Sequence, residues 1–188
     1  MIRPLEDSMD LEQKVMKTEV VFKGRYVQTE VQTVLLPDGR QAVREIVSPP
    51  DAVGILAIDE SSKVYLVRQY RPAIKKVTIE IPAGIIDGDE NPLETADREC
   101  QEETHMKPGS LKPLCSFYHS VGFSTGKIQI VVAENLTPVT HAHYDPDEFL
   151  EVMTLSFQEL LQKVINGEIV DSKTIVATLW YHQMKSMT

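Results

Sequence analysis

Hydrophobic and polar positions alternate from Thr18 onward. TEVVFKG, YVQTEVQTVLL and QAVREIV read as strands, with Val27, Thr29, Val31, Thr33 and Leu35 set between polar partners. Pro37-Asp38-Gly39 supplies turn chemistry for a hairpin between the second and third runs. Residues 1–17, by contrast, read as a loose or helical leader. An antiparallel β arm of this size buries too little to stand alone, so it needs a surface to pack on. Pro49-Pro50 marks its end, giving an arm over 1–48 and a second domain over 49–188.

Past the prolines the pattern changes. AVGILAID is an unbroken apolar run, as expected of a strand buried on both faces. A short ESSK turn leads to VYLVRQYRP, and VTIEIPAG, LKPLCSFYHS, KIQIVVAENL and FLEVMTL follow as further strands. Three helices are predicted. The first opens at Asn91-Pro92, with Glu94 as the capping-box acid and Leu93, Ala96 and Cys100 on one buried stripe. The second opens at Ser156 with Glu159, turns Leu160, Leu161, Val164 and Ile165 inward, and ends at Gly167. Asp171 caps the third, which is expected to bury Ile175, Val176, Leu179 and Trp180. Strands, helix, strands, helix, helix predict an α/β (α+β) class with a mixed sheet between helices.

Composition narrows the function. The 188 residues are 42% hydrophobic and 25% charged, enough for one domain with a core plus the arm. A net charge of −9 argues against a general nucleic-acid binder and against a capped-RNA hydrolase, both of which want basic surface. Apolar runs are too short for a membrane span, and the acidic start lacks the apolar stretch of a secretory signal. Cys100 and Cys115 make no disulfide framework and read as core, so a cytoplasmic location is expected by default. His119, His141 and His143 lack the spacing of a zinc site and read as loop residues.

The predicted first helix carries an unusual density of carboxylates. Glu99 and Glu103 are one helical turn apart with Glu102 between them, so three acids share an arc beside the apolar stripe. A solvated face is the ordinary use of such a run. Here the acids repel one another, and a hard divalent cation such as Mg²⁺ or Mn²⁺ would convert that repulsion into binding.

The spacing is distinctive: Gly84, five residues, Glu90, seven residues, Arg98-Glu99, Cys100, Gln101, Glu102-Glu103. It resembles the box of the Nudix hydrolases, with His105 where that family has glycine. Histidine can take the left-handed conformation expected there at a cost of about 1–2 kcal/mol, so the departure bears on local stability rather than on metal binding. Arg44–Val47 (REIV), Arg68–Pro72 (VRQYRP), Glu80–Gly84 (EIPAG) and Glu148–Val152 (EFLEV) extend the resemblance to the ADP-ribose pyrophosphatase branch over nearly the whole chain.

That resemblance implies the Nudix fold, an α/β/α sandwich, and hydrolysis of ADP-ribose or other nucleoside diphosphate sugars. It implies metal ligation by Glu99, Glu102, Glu103 and the Ala83 carbonyl, with Mg²⁺ (or Mn²⁺) as cofactor. Glu148 or Glu102 would be the base, Arg71 and then Arg44 the substrate contacts, and Arg98 a structural partner of Glu90. In that branch the arm crosses to a second subunit, which implies a homodimer. Two markers of strict ADP-ribose enzymes are absent: Val121 replaces a proline and Gly126 an acid, pointing to a broader sugar range. Phe22, Tyr26 or Tyr118 would stack on the base. A sensor that holds ADP-ribose without cutting it is the alternative, and it would be expected to lose the box glutamates.

Overall fold

The computed structural model describes residues 10–139 and 149–187. In chain order its strands are β1 (Lys14–Lys23), β2 (Gln28–Leu35), β3 (Gln41–Ser48), β4 (Ala52–Ile58), β5 (Lys63–Arg71), β6 (Lys76–Glu80) and β7 (Ala83–Ile85). Helix α1 (Pro92–Thr104) follows, then β8 (Met106–Lys107), β9 (Ser110–Tyr118), β10 (Lys127–Glu134), β11 (Thr137–Pro138) and β12 (Leu150–Ser156). Helices α2 (Phe157–Ile165) and α3 (Ser172–Ser186) close the order. Among the described residues, no helix is long and apolar enough to cross a membrane.

Contacts divide the chain into two compact units, one reaching to Pro49 and including Ser120–Gly126, the other holding Pro50–His119 and Lys127–Thr188. The first unit is the antiparallel sheet β1-β2-β3. Its second turn is the one read from sequence: Gly39 takes φ 85°, and Leu35 pairs with Gln41 across it. The 120–126 loop is stitched to β3, with Val47 N–H donating to the Phe123 carbonyl (2.8 Å) and Thr125 N–H to that of Val47 (3.0 Å). The leader reading is corrected at its end, because Lys14–Lys17 already belong to β1, with Lys14 opposite Leu35. The ladder with β2 supplies what the local pattern lacked. All ten residues of β1 are exposed, Val15, Met16, Val20, Val21 and Phe22 among them.

The second unit is built on a seven-stranded mixed sheet of order β12-β5-β4-β10-β9, with β6 added to β5 and β7 to β4. Only β4 and β10 run parallel among these pairs; the others are antiparallel. Strand β4 shows why its apolar run is unbroken. Val53, Ile55 and Ala57 pack with Ala96 and Cys100 of α1, while Leu56 and Ile58 join Leu160, Val164, Ala177 and Tyr181 of α2 and α3. Successive side chains thus enter opposite layers, and the α/β/α expectation holds.

The helix faces hold less uniformly. Leu160, Leu161 and Val164 are buried as expected, but Ile165 is 64% exposed. In α3 the expected inward residues Leu179 and Trp180 are exposed, and the buried stripe is Lys173, Thr174, Ala177, Thr178 and Tyr181. Hydrophobicity alone misplaced this face because its burial depends on hydrogen-bonded polar groups. Thr178 Oγ1 donates to the Thr174 carbonyl, and Lys173 and Thr174 find partners on β6 and just beyond it.

Candidate active site

Local sequence fixes α1 at both ends. Asn91 Oδ1 accepts from Leu93 N–H (2.9 Å), Glu94 Oε2 accepts from Asn91 N–H (3.2 Å), and Pro92 stands in the first turn. At the other end His105 is left-handed (φ 59°, ψ 24°) and its N–H donates to the Gln101 carbonyl, as its position in the box predicts. Leu93, Ala96 and Cys100 face the core. Burial holds the Cys100 thiol up at about 11, so it is an inert core group at neutral pH.

The acids are not a solvated face. Glu99 and Glu103 are buried, at 9% and 4% exposure. Glu103 Oε2 accepts from the Ala83 backbone N–H at 3.0 Å, tying the helix to the start of β7. Gly84 faces Glu99 so closely that a Cβ would lie 1.9 Å from Oε1. Pairing of Val53 with Gly84 and of Gly54 with Ala83 holds that segment against the central strand.

Arg98 organises the remainder. Its Nη1 donates to Glu99 Oε1 (2.6 Å) and Glu102 Oε2 (3.0 Å), and Nη2 donates to Glu90 Oε2 (3.3 Å). Thr95 Oγ1 also donates to Glu90 Oε2, at 2.8 Å. Burial opposes the guanidinium charge, but its bond to Glu90 and the charge of Glu99 outweigh burial and raise its pKa. Glu90 is correspondingly lowered, first by Arg98 and then by Thr95. The expected Arg98–Glu90 pair is present; the bonds to Glu99 and Glu102 were not anticipated.

With the side chains so placed, no group of three or more acidic, histidine or cysteine residues is gathered for a cation among the described residues. The donor chemistry nevertheless fits one. Glu99 and Glu102 both reach a single cationic nitrogen, and all their donors are hard oxygens of the kind Mg²⁺ and Mn²⁺ prefer.

The other expected residues lie as follows. Arg71 is spent partly on Glu80, its Nε and Nη2 donating to Oε1 (2.8 Å) and Oε2 (2.6 Å). Its pKa is raised, chiefly by that bond, with Glu103 and Asp171 contributing charge. Arg44 belongs to the first unit, where Nε donates to Gln13 and Nη1 to the Val43 carbonyl. Phe22, Tyr26 and Tyr118 are each 55% exposed. Glu148, His141 and His143 lie outside the described residues. Sequence reasoning gave Glu80, beyond its place in EIPAG, and Lys173 no role of their own. The only signal was a glutamate within EIPAG and a lysine in the register of the Ala177 and Tyr181 stripe.

Comparison with known proteins places the chain in a family. The NUDIX domain family model matches residues 48–175. The chain is 38% identical over 177 residues to the methanol dehydrogenase activator of Bacillus methanolicus, covering 94% of this chain and 96% of that protein. It is 36% identical over 176 residues to the ADP-ribose pyrophosphatase of Bacillus subtilis, covering 93% and 95%. A crystal structure of an ADP compounds hydrolase superposes with a TM-score of 0.83 at 22% identity, over 94% of this chain and 96% of that one. The class these matches define is a hydrolase, and the chain belongs to the Nudix family.

Proposed function

We propose that this protein hydrolyses the diphosphate of ADP-ribose and related nucleoside diphosphate sugars, using Mg²⁺ or Mn²⁺. The observation that carries the reading is the drawing of Glu99 and Glu102 onto one cationic nitrogen, with Glu103 held beside them by Ala83. The relative from Bacillus subtilis, similar over most of its length, supports the substrate class.

In this reading Glu99, Glu102, Glu103 and the Ala83 carbonyl hold the metal. When bound, the metal neutralises the diphosphate and acidifies water. The chain's own work is positional and protolytic. Arg71 grips phosphate oxygens through a guanidinium suited to paired contacts, Arg44 being the second choice for that role. Glu148 or Glu102 takes the proton of the attacking water, whose oxygen bonds to phosphorus as the bridging P–O bond breaks. From ADP-ribose and water the products are AMP and ribose 5-phosphate.

The exposed apolar side chains of β1 support a homodimer in which the arm packs on a second copy. The non-cutting sensor is the weaker alternative, because the glutamates that binding alone would not need are all present.

The test is a substrate panel with purified protein and Mg²⁺, products being separated by chromatography. ADP-ribose cleavage abolished by EDTA is expected. Full turnover in EDTA would remove the metal assignment, and tight binding of ADP-ribose without cleavage would favour the sensor.

A further inference from the structure

Glu80, the last residue of β6, is 2% exposed and lies in an ionic cluster of which the hydrolytic reading uses Arg71 alone. Arg71 donates to both its oxygens, Thr78 Oγ1 donates to Oε1 at 2.6 Å, and Lys173 Nζ donates to Oε2. Lys173, near the start of α3, is itself only 7% exposed, and its Nζ also lies 3.1 Å from Asp171 Oδ1. Its stem passes the central strand at Gly54, where a Cβ would stand 3.7 Å from Lys173 Cδ. Next along the chain, Ile81 N–H donates to Thr174 Oγ1 at 2.8 Å. The first turn of α3 is therefore fastened to the residues that lead directly into Ala83 and Gly84.

The arrangement of charge is specific. Two cations, Arg71 and Lys173, share one oxygen of a single buried acid. The bonds to Glu80 occupy one edge of the Arg71 guanidinium, and the Arg71 side chain remains 44% exposed. If Lys173 did not share Glu80, the whole carboxylate charge would fall on Arg71 and offset the charge it can offer an anion.

We infer that Lys173 is a positioning residue for Arg71. Through Glu80 it fixes the guanidinium and keeps its charge available to the substrate diphosphate. The inference rests on the phosphate-binding role given to Arg71 above. A lysine that only stabilised the core would act equally whether or not Arg71 were present.

The test is a double-mutant cycle on the Mg²⁺-loaded enzyme. Lys173→Met should raise KM for ADP-ribose about tenfold, the effect of a charged hydrogen bond, while kcat stays within about twofold. Lys173→Arg should restore most of the loss. In an Arg71→Ala background, Lys173→Met should leave KM where Arg71→Ala alone puts it. An equal rise in both backgrounds, or none in either, overturns the inference. Should circular dichroism show Lys173→Met unfolded, Lys173→Gln, which keeps a donor for Glu80 but drops the charge, takes its place in the same cycle, and the same comparison of backgrounds decides. A wild type that cuts no nucleoside diphosphate sugar sinks the substrate reading separately. The cycle is then read from the Kd of ADP by calorimetry.

Discussion

Gly84 and Glu99 exclude anything between them: a Cβ on the glycine would fall 1.9 Å from Oε1, 2.0 Å from Cδ and 2.5 Å from Cγ of the glutamate. The whole carboxylate, not merely its tip, would have to move. Gly84→Ala should therefore cut kcat/KM by about 100-fold, the usual scale for displacing a positioned group by an ångström. Steady-state kinetics beside Mn²⁺ binding checks this. Near-normal values for both would mean that the carboxylate has room to retreat.

Arg98 balances Glu90, Glu99 and Glu102. Arg98→Met should lower stability in EDTA by roughly 1–3 kcal/mol, because three acids lose that counter-charge. Mn²⁺ should then raise the melting temperature of the variant more than that of the wild type. Scanning fluorimetry with and without metal reads both effects, and equal metal-induced gains would refute the balance.

Acid should act through Glu80. Burial pushes its pKa up, but the Arg71 bond and the Lys173 charge reverse this and leave it lowered to about 2 from 4.5. A depressed carboxylate pKa contributes stability that is complete above the ordinary value and is lost as pH falls through the folded one. The window is pH 4.5 down to about 2, and the amount is on the order of 3 kcal/mol. Urea unfolding across that window should show a steeper loss for the wild type than for Glu80→Gln; parallel curves would contradict the shift.

His105 holds a left-handed conformation that costs a side-chain residue about 1–2 kcal/mol relative to glycine's ease there. Glycine loses part of that advantage through the entropy of the unfolded chain. His105→Gly should thus gain up to about 1 kcal/mol, seen as a higher denaturation midpoint. A lower midpoint would show that the imidazole's own contacts outweigh the backbone strain.

What could be read in advance was whatever neighbours in sequence decide. Asn91, Pro92 and Glu94 opened α1, Ser156 and Glu159 opened α2, and Asp171 capped α3, because each device closes within one turn. The carboxylate trio was visible for the same reason. Long-range partners were not. Lys14–Lys17 became strand through pairing with β2, and the buried face of α3 was misjudged because Glu80 and Thr78, far earlier in the chain, make a polar stripe worth burying. Arg98's hold on Glu99 and Glu102 was equally hidden, since spacing shows which groups can meet but not which rotamer joins them.

Lys173 comes 93 positions after the acid it neutralises. A chain still emerging from the ribosome holds Glu80 with Arg71 as its counter-charge, and the second cation arrives only with α3. Products that stop short of that helix would lack the lysine and threonine that fasten Glu80 and Ile81, the residues leading into Ala83 and Gly84.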